Sequence, residues 1–407
     1  MSEAKNLFPL LQQSADPGVV SAIEKLVRDA PDHDLCRVNV LDFAAKRGLD
    51  QEKSITAFLH AARLGLFELS WNVLCPSCAG VLDAGTTLRN VNRGEYHCAW
   101  CAAGYEPVLD EIVEVTFTVN RRVRRIAAHS PNELPLAEYF RQVFWSSAID
   151  LPDDLDRLIQ EITLDTVELP PGGKAQLSLQ LPADFVIILD PVTHTTQFLD
   201  VKGEPTHERQ SLSLVFDQVR APTETVKLRP GPLRLSLENH TETRVLPGLW
   251  IAGGKLEERR RKPFLSAKRL LTNQVFRDFY GADTMDVHQR LKITSLTFLF
   301  TDLRGSTELY ERVGDLAAFD LVSAHFQILN EIVAAEAGAV VKTSGDAVMA
   351  TFATPDRAVA AALRMREAMR SLNDSHRDNK LLLKIGIHEG RAWRSCSTIA
   401  KTISAER

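Results

Sequence analysis

The chain has 407 residues, 44% of them hydrophobic and 25% charged, with a formal net charge of −5. That length allows two or more independent cores, and the mild acidity excludes a chain built mainly to neutralise nucleic-acid phosphates. No apolar run approaches the ~18 residues needed to cross a bilayer. The start, MSEAKNLFPLLQQSADPG, lacks the cationic region and apolar core of a secretory signal, so no membrane span and a cytoplasmic location are expected. Six cysteines in a reducing compartment point to metal or free thiols rather than disulfides. The Asn239-His240-Thr241 sequon then carries no weight.

Residues 17–69 read as helices. Segments 19–27 and 40–47 have helical apolar spacing, and Asp50 is placed to cap a helix over 51–65. The run from Ala44 to Asp50, followed by Ile55, Phe58, Leu59 and Leu64, has the rhythm of a helix-turn-helix, and Phe67-Glu68-Leu69 is placed to begin a wing. Residues 1–70 are therefore expected to form a helical, winged-helix-like module. The helix that would read DNA offers Gln51, Glu52, Lys53 and Ser54, with only Arg63 beyond. That is a poor supply of cations for phosphates, so a protein-interaction role is the better expectation and nucleic acid is not an expected partner.

Next come Cys75-Pro76-Ser77-Cys78 and Cys98-Ala99-Trp100-Cys101. Two CxxC pairs at this separation match a four-cysteine zinc ribbon over residues 71–106. The alternatives are a redox pair or unconnected thiols. Gly85 and Asn92-Arg93-Gly94 suit a hairpin between the knuckles. Four protein ligands leave no open position, so a structural Zn²⁺ is expected, with His97 a neighbour rather than a ligand.

From 107 to 254 the rhythm changes. Short runs at 113–119, 175–181, 185–189, 211–216 and 233–237 largely alternate apolar and polar residues between Pro- and Gly-rich turns. They predict an antiparallel β-sandwich, with a helical insert at 136–146 and 154–161. His129, His194 and His207 sit at no telling distance from carboxylates, so this region is expected to sense or dock. Residues 255–289 read as a linker. KLEERRRK at 255–262 is a solvated charge run, and 265–280 is a helix suited to transmit motion to the C-terminal region.

The chemistry lies in that C-terminal region. An apolar run at 296–300 ends on Asp302 and turns at Gly305 into Ser306-Thr307. Farther on, Lys342, Gly345 and Asp346 occupy a tight turn between apolar runs at 339–341 and 347–352. Each half alone is weak, since an Asp at a strand end is commonly a turn former and a Gly-Asp pair a hairpin turn. Together they put two strand-end carboxylates beside a glycine-led helix start, with a helix predicted over 319–336 between them and another over 358–372.

TFLFTDLRGST, KTSGDAVMATF and LLLKIGIHEGRA resemble the core motifs of class III nucleotide cyclases. The resemblance covers roughly residues 290 to 392. It implies a ferredoxin-like α/β catalytic domain over 290–407, incomplete at its end, in a multidomain α+β chain. It also implies two Mg²⁺ or Mn²⁺ ions bridged by Asp302 and Asp346, with the carbonyl of Leu303 as a further ligand. Gly305, Ser306 and Thr307 would take the β- and γ-phosphates of ATP, and Lys342 would select the purine. The implied activity is conversion of ATP to cyclic AMP and pyrophosphate for intracellular signalling, in a homodimer or paired with another cyclase chain. Ser344 departs from the larger apolar residue expected in that loop.

A different class also fits: a catalytically incompetent regulator that binds nucleotide and metal. The resemblance stops at Ala392, and WRSCSTIAKTISAER has neither strand nor helix rhythm. The purine-binding, ribose-binding asparagine and phosphate-binding arginine positions of the family would fall past this point, so impaired activity is expected. A reading frame slipped by one base after Ala392 can instead read LAIMLNDRQ, then Asn or Asp, then YFGRT. That resembles the family's missing strand pair, with the purine-selecting position on the Lys401/Thr402 overlap.

Overall fold

The protein is described by a computed structural model covering residues 2–91, 94–217, 224–251, 261–280, 290–376, 380–395 and 403–405. Asn92 and Arg93, most of the charge run at 255–262, and the Lys401/Thr402 overlap lie outside the described residues.

Helices open the chain: α1 (Ser2–Gln12), α2 (Pro17–Asp29), α3 (Val40–Arg47) and α4 (Gln51–Arg63). Their boundaries are set by local chemistry. Asp16 accepts from the amides of Gly18 and Val19 ahead of Pro17, Asn39 accepts from Leu41 and Asp42, and Asp50 accepts from Lys53 at 2.8 Å. Gly48, at φ 63, closes α3 in the left-handed region. Helix α1 lies outside the helical stretch expected from the sequence. The start of α4 is covered within the chain: Arg269 bonds Gln51 and Glu52, and Lys53 pairs with Asp16.

Strands β1 (Phe67–Leu74), β2 (Val81–Gly85), β3 (Tyr96–Cys98), β4 (Ala103–Tyr105) and β5 (Val113–Val119) come next. β3 and β4 form a hairpin, while β2-β1-β5 form one sheet. The segment 113–119, expected in the sandwich, is β5 and pairs along β1 instead, with Trp71 opposite Val115. Its alternation of apolar and polar residues suggested one solvated face. Both faces are in fact buried, because Glu114 and Thr116 sit at 0% exposure in a polar network with Asn72, Ser146 and Ser147.

Helix α5 (Leu136–Tyr139) runs on as a π-helical turn, Phe140–Phe144, and α6 (Leu155–Ile162) completes the insert. Then come β6 (Thr163–Thr166), β7 (Lys174–Leu181), β8 (Phe185–Asp190), β9 (Thr195–Val201), β10 (Gln210–Phe216), β11 (Val226–Leu228), β12 (Gly231–Asn239) and β13 (Gly248–Ile251). Two sheets, β10-β12-β7 and β11-β9-β8-β13-β6, enclose one apolar core that includes Val186, Leu199, Phe216, Leu235 and Leu249. The arrangement is not purely antiparallel, as the sequence suggested. β10 with β12, and β11 with β9, are parallel. The chain leaves β10 for the other sheet, forms β11 and returns as β12, and such a crossover is what a parallel pair requires.

The expected single helix over 265–280 is two, α7 (Ala267–Leu271) and α8 (Gln274–Tyr280). Thr272 turns its hydroxyl onto the α7 carbonyls and Asn273 caps α8 through the Phe276 amide. Leu265, Leu270 and Phe276 join a core that continues from the first helices into Ile293, Leu296 and Phe298.

The C-terminal unit comprises β14 (Arg290–Arg304), α9 (Ser306–Val313), α10 (Asp315–Ala335), β15 (Gly338–Ser344), β16 (Ala347–Phe352), α11 (Pro355–Ser375), β17 (Leu382–Ser395) and β18 (Ile403–Ala405). The sheet order is β15-β16-β14-β17-β18, with every pair antiparallel. Its first four strands follow the ferredoxin-like pattern. Against the expectation for the tail, β17 continues through Trp393 to Ser395, paired with the start of β14. Against the hydropathy expectation, α10 is long and apolar enough, by length and composition, to cross a membrane. Here Leu321, Val322, Leu329, Ile332 and Val333 bury it against the sheet and α11.

Candidate active site and metal centre

β14 sorts its side chains by alternation. Leu299, Thr301 and Leu303 are buried, and the two leucines pack into the cores under the helices, whereas Phe300, Asp302 and Arg304 are exposed. Asp302 therefore stands on the open face. In the β14–β16 pairing, Thr301 is opposite Val348, and its hydroxyl accepts the Val348 amide at 3.1 Å. The two-residue turn before β16 holds Gly345 and Asp346. Gly345, at φ 60, takes the first central position, where a left-handed backbone suits a tight hairpin. The register brings the two carboxylates to the same end of adjacent strands, as the sequence predicted.

The donor set fits divalent cations. Asp346 Oδ2 is buried and has no hydrogen-bond partner, a costly condition that a metal ion relieves. Asp302 is ion-paired with Lys384 at 3.1 Å, so a cation already faces this carboxylate. Leu303 keeps its side chain in the core and has only its backbone to offer.

Gly305, at φ 73, precedes α9 with no side-chain cap. Gly305 thus offers the first amides of α9 no side-chain acceptor, an arrangement that suits anions. The exposed carboxylate of Glu308 lies over this turn, 2.7 Å from where a Cβ on Gly305 would sit. Ser306 is half-buried at the helix start, and Thr307 lies in the first helical turn. Lys342 is exposed on β15 beside a register shift between Val340 and Lys342. Such a bulge re-aims the side chains beyond it. Ser344 is exposed.

Two residues escaped the sequence reading. Lys384 is opposite Asp302, a cross-strand register with no local signal. His325 on α10 is fully buried, and both ring nitrogens lack partners. Burial pushes its pKa down while the charge of Asp346 opposes the shift. Its four-residue spacing from Leu321 and Leu329 was the available signal for an inward-facing position.

The second centre is the cysteine cluster. The sulfurs of Cys75, Cys78, Cys98 and Cys101 all lie within 4.8 Å of one another, a group able to hold a metal ion. Cys75 to Cys101 and Cys78 to Cys98 are both 3.7 Å. The amides of Cys78 and Gly80 point at Cys75 and Cys78 sulfur, respectively. Hydrogen bonding with Cys101 pushes the Cys75 thiol far down and the Cys78 thiol far up. Four thiolates cannot coexist here without a central cation.

Residues 289–402 match the family model for the adenylate and guanylate cyclase catalytic domain, so the C-terminal unit is a class III cyclase domain; the match runs past Ala392. Residues 1–278 match a family of unknown function, DUF5939, and the chain belongs to that family. Similar solved structures include the adenylyl cyclase CyaB from P. aeruginosa, at 25% identity over 29% of this chain and 66% of that one, TM-score 0.26. A bacterial light-regulated adenylyl cyclase is 21% identical over 32% and 41%, TM-score 0.28. The guanylyl cyclase Cya2 is 22% identical over 30% and 66%, TM-score 0.26. The chain thus spans less than two thirds of each of these structures. No curated protein matches it.

Proposed function

We propose that the chain is an adenylate cyclase whose C-terminal domain converts ATP to cyclic AMP and pyrophosphate in the cytoplasm, under the influence of its N-terminal region. The observation that carries this reading is that Asp302 and Asp346 lie at the same end of adjacent strands, with Asp346 Oδ2 buried and unpaired. Asp302, Asp346 and the Leu303 carbonyl would hold Mg²⁺ or Mn²⁺, which when bound supplies charge neutralisation and activation of the ribose 3′-oxygen. The α9 amides behind Gly305 orient the β- and γ-phosphates, with Ser306 and Thr307 at the helix start. Lys342 donates to the purine and favours adenine. The 3′-oxygen attacks the α-phosphorus, its bond to pyrophosphate breaks, and the open sheet face pairs with a second cyclase domain to close the cleft.

The cysteine cluster fits zinc. A tetrahedral ion with Zn–S bonds of about 2.3 Å separates its sulfurs by about 3.8 Å, matching the two 3.7 Å separations. The helices and β2-β1-β5 suit a winged-helix-like interaction module, and the two sheets after it a sensing sandwich. A second reading, a nucleotide-binding regulator with impaired turnover, rests on the segment after Ala392, where β18 pairs with only Ala392, Trp393 and Arg394 of β17. The test is manganese-dependent ATP binding together with cyclic AMP production. Asp302→Ala and Asp346→Ala should each abolish both in a folded chain. Unchanged nucleotide and metal affinity in either variant would contradict the assignment, while wild-type binding without product selects the regulator.

A further inference from the structure

A cavity of about 280 Å³ lies in the N-terminal region, beside the Cys75–Cys78 knuckle, where the Ser146 amide bonds the Ala79 carbonyl. Arg37, Asn39, Gln142, Ser146, Ser147 and Lys262 line it. Three features distinguish it from an incidental cleft. Its inner side is a built polar network. Glu114, fully buried, accepts from both Ser146 and Ser147 on one oxygen and from Asn72 on the other. With their protons committed to Glu114, Ser146 accepts the Ala148 amide at 2.9 Å, and the Ser147 oxygen is left to accept from a ligand. Gln142 supplies the second feature. It sits in the π-helical turn, is only 5% exposed, and its Oε1 has no hydrogen-bond partner. Its Nε2 donates to the Glu138 carboxylate, so the amide cannot be flipped to cure the deficit. A buried acceptor without a donor is costly, and π-turns are frequent at functional sites.

The third feature is Lys262, the lining residue contributed by the segment 261–266. Lys262 donates its amide to Ala148 and pairs with Asp150 at 2.6 Å and Asp42 at 3.7 Å. Asn39 donates to the Pro263 carbonyl, Leu265 accepts from Val115, and Ser266 bridges Glu114. This strap leads directly into α7 and α8, where the Gln274 side chain accepts the Val340 amide of β15. Lys342 lies on that same strand. A group entering the cavity therefore touches the segment that joins it to the cyclase sheet.

The lining mixes cations and carboxylates in pairs, so it has no single sign of charge to attract a polyphosphate. Its volume sits just below the usual span for ligand pockets and suits a molecule of amino-acid size. Arg37 and Lys262 suit a carboxylate. Asp150, the Ser147 oxygen and the Gln142 side-chain carbonyl suit an ammonium group.

We propose that this cavity binds a small zwitterion of the α-amino-acid class and that its occupancy is transmitted through residues 261–266 to the nucleotide site. The transmission half rests on the cyclase reading; the binding half does not. The test uses the full chain and single amino acids at up to about 10 mM, with thermal unfolding as the readout, because a ligand of the native state raises the melting temperature with concentration. At least one amino acid should raise it, and Gln142→Leu and Ser147→Ala should each weaken that ligand at least about tenfold. Two variants are used so that a folding defect in one leaves the other decisive. A shift given by glycerol or monosaccharides but by no amino acid overturns the ligand class. No shift with any of them, or a shift undiminished in both variants, overturns the site. ATP affinity, read separately with and without the bound amino acid, should differ; equal affinities overturn the transmission while leaving the assignment of the cyclase site untouched.

Discussion

The anion-binding turn at Gly305 makes the sharpest single-residue prediction. Its φ of 73 lies where an L-residue pays roughly 1–2 kcal/mol. A Cβ there meets Glu308 Oε2 at 2.7 Å, but that is the free end of an exposed side chain and can swing aside. Gly305→Ala should therefore cost about 1–2 kcal/mol, roughly 4–8 °C in the melting of the cyclase unit. Stability alone does not identify a phosphate site. Gly48→Ala is the control, because Gly48 has a φ of 63 with nothing within 4 Å of its Cβ. It imposes a similar backbone cost at the end of α3, far from the nucleotide. Manganese-ATP affinity measured by calorimetry should fall at least about tenfold in Gly305→Ala and stay unchanged in Gly48→Ala. If the two variants bind ATP alike, Gly305 is only a helix-entry turn and the phosphate reading is wrong.

Metal analysis should find about one zinc per chain, and Cys98→Ser should lose it and lower the melting temperature, since a structural zinc contributes folding energy; a zinc-free protein with normal melting sinks that idea. Lys342→Ala should narrow the difference between ATP and GTP affinities, and unchanged selectivity removes its purine role.

Signals confined to a few residues were legible in the sequence. Asp50 caps its helix, the two CxxC pairs converge, and the Gly345-Asp346 turn lies at the strand end expected of it. What stayed hidden depends on distant partners. Alternation in 113–119 marks a strand, but nothing local says that Glu114 will be buried against Ser146 and Ser147. Lys384 faces Asp302 only through the β14–β17 register. The break between α7 and α8 turns on Thr272 and Asn273, polar residues that a count of apolar spacing passes over. The packing of Phe298 into the N-terminal core joins residues whose pairing no periodicity encodes.

The segment after Ala392 carries the last prediction. β17 reaches Ser395, but its outer neighbour β18 pairs only with Ala392, Trp393 and Arg394. The rest of that edge, where Leu382 is 54% and Ile387 39% exposed, has no strand beside it among the described residues. Open edges with apolar side chains invite unintended pairing. A reading frame displaced by one base after Ala392 would account for this edge. In a frame displaced by one base, each new codon takes the last base of one codon and the first two of the next. Trp393 then forces a codon ending TG, which allows leucine, and Cys396 allows methionine. Ile399 forces an ending AT, which allows aspartate, and Ala400 an ending GC, which allows arginine. Carried through Arg407, the frame admits LAIMLNDRQ, Asn or Asp, then YFGRT without a break. The opening LAIML is an apolar run of the kind a buried strand needs, unlike WRSCS in the undisplaced frame. Sequencing the coding DNA should show bases that read LAIMLND in the displaced frame, and a chain expressed with that frame restored should melt higher and produce more cyclic AMP. Bases incompatible with LAIMLND end the hypothesis outright. A chain ending in WRSCSTIAKTISAER that already turns over ATP as fast as the restored one ends the claim that the segment impairs it.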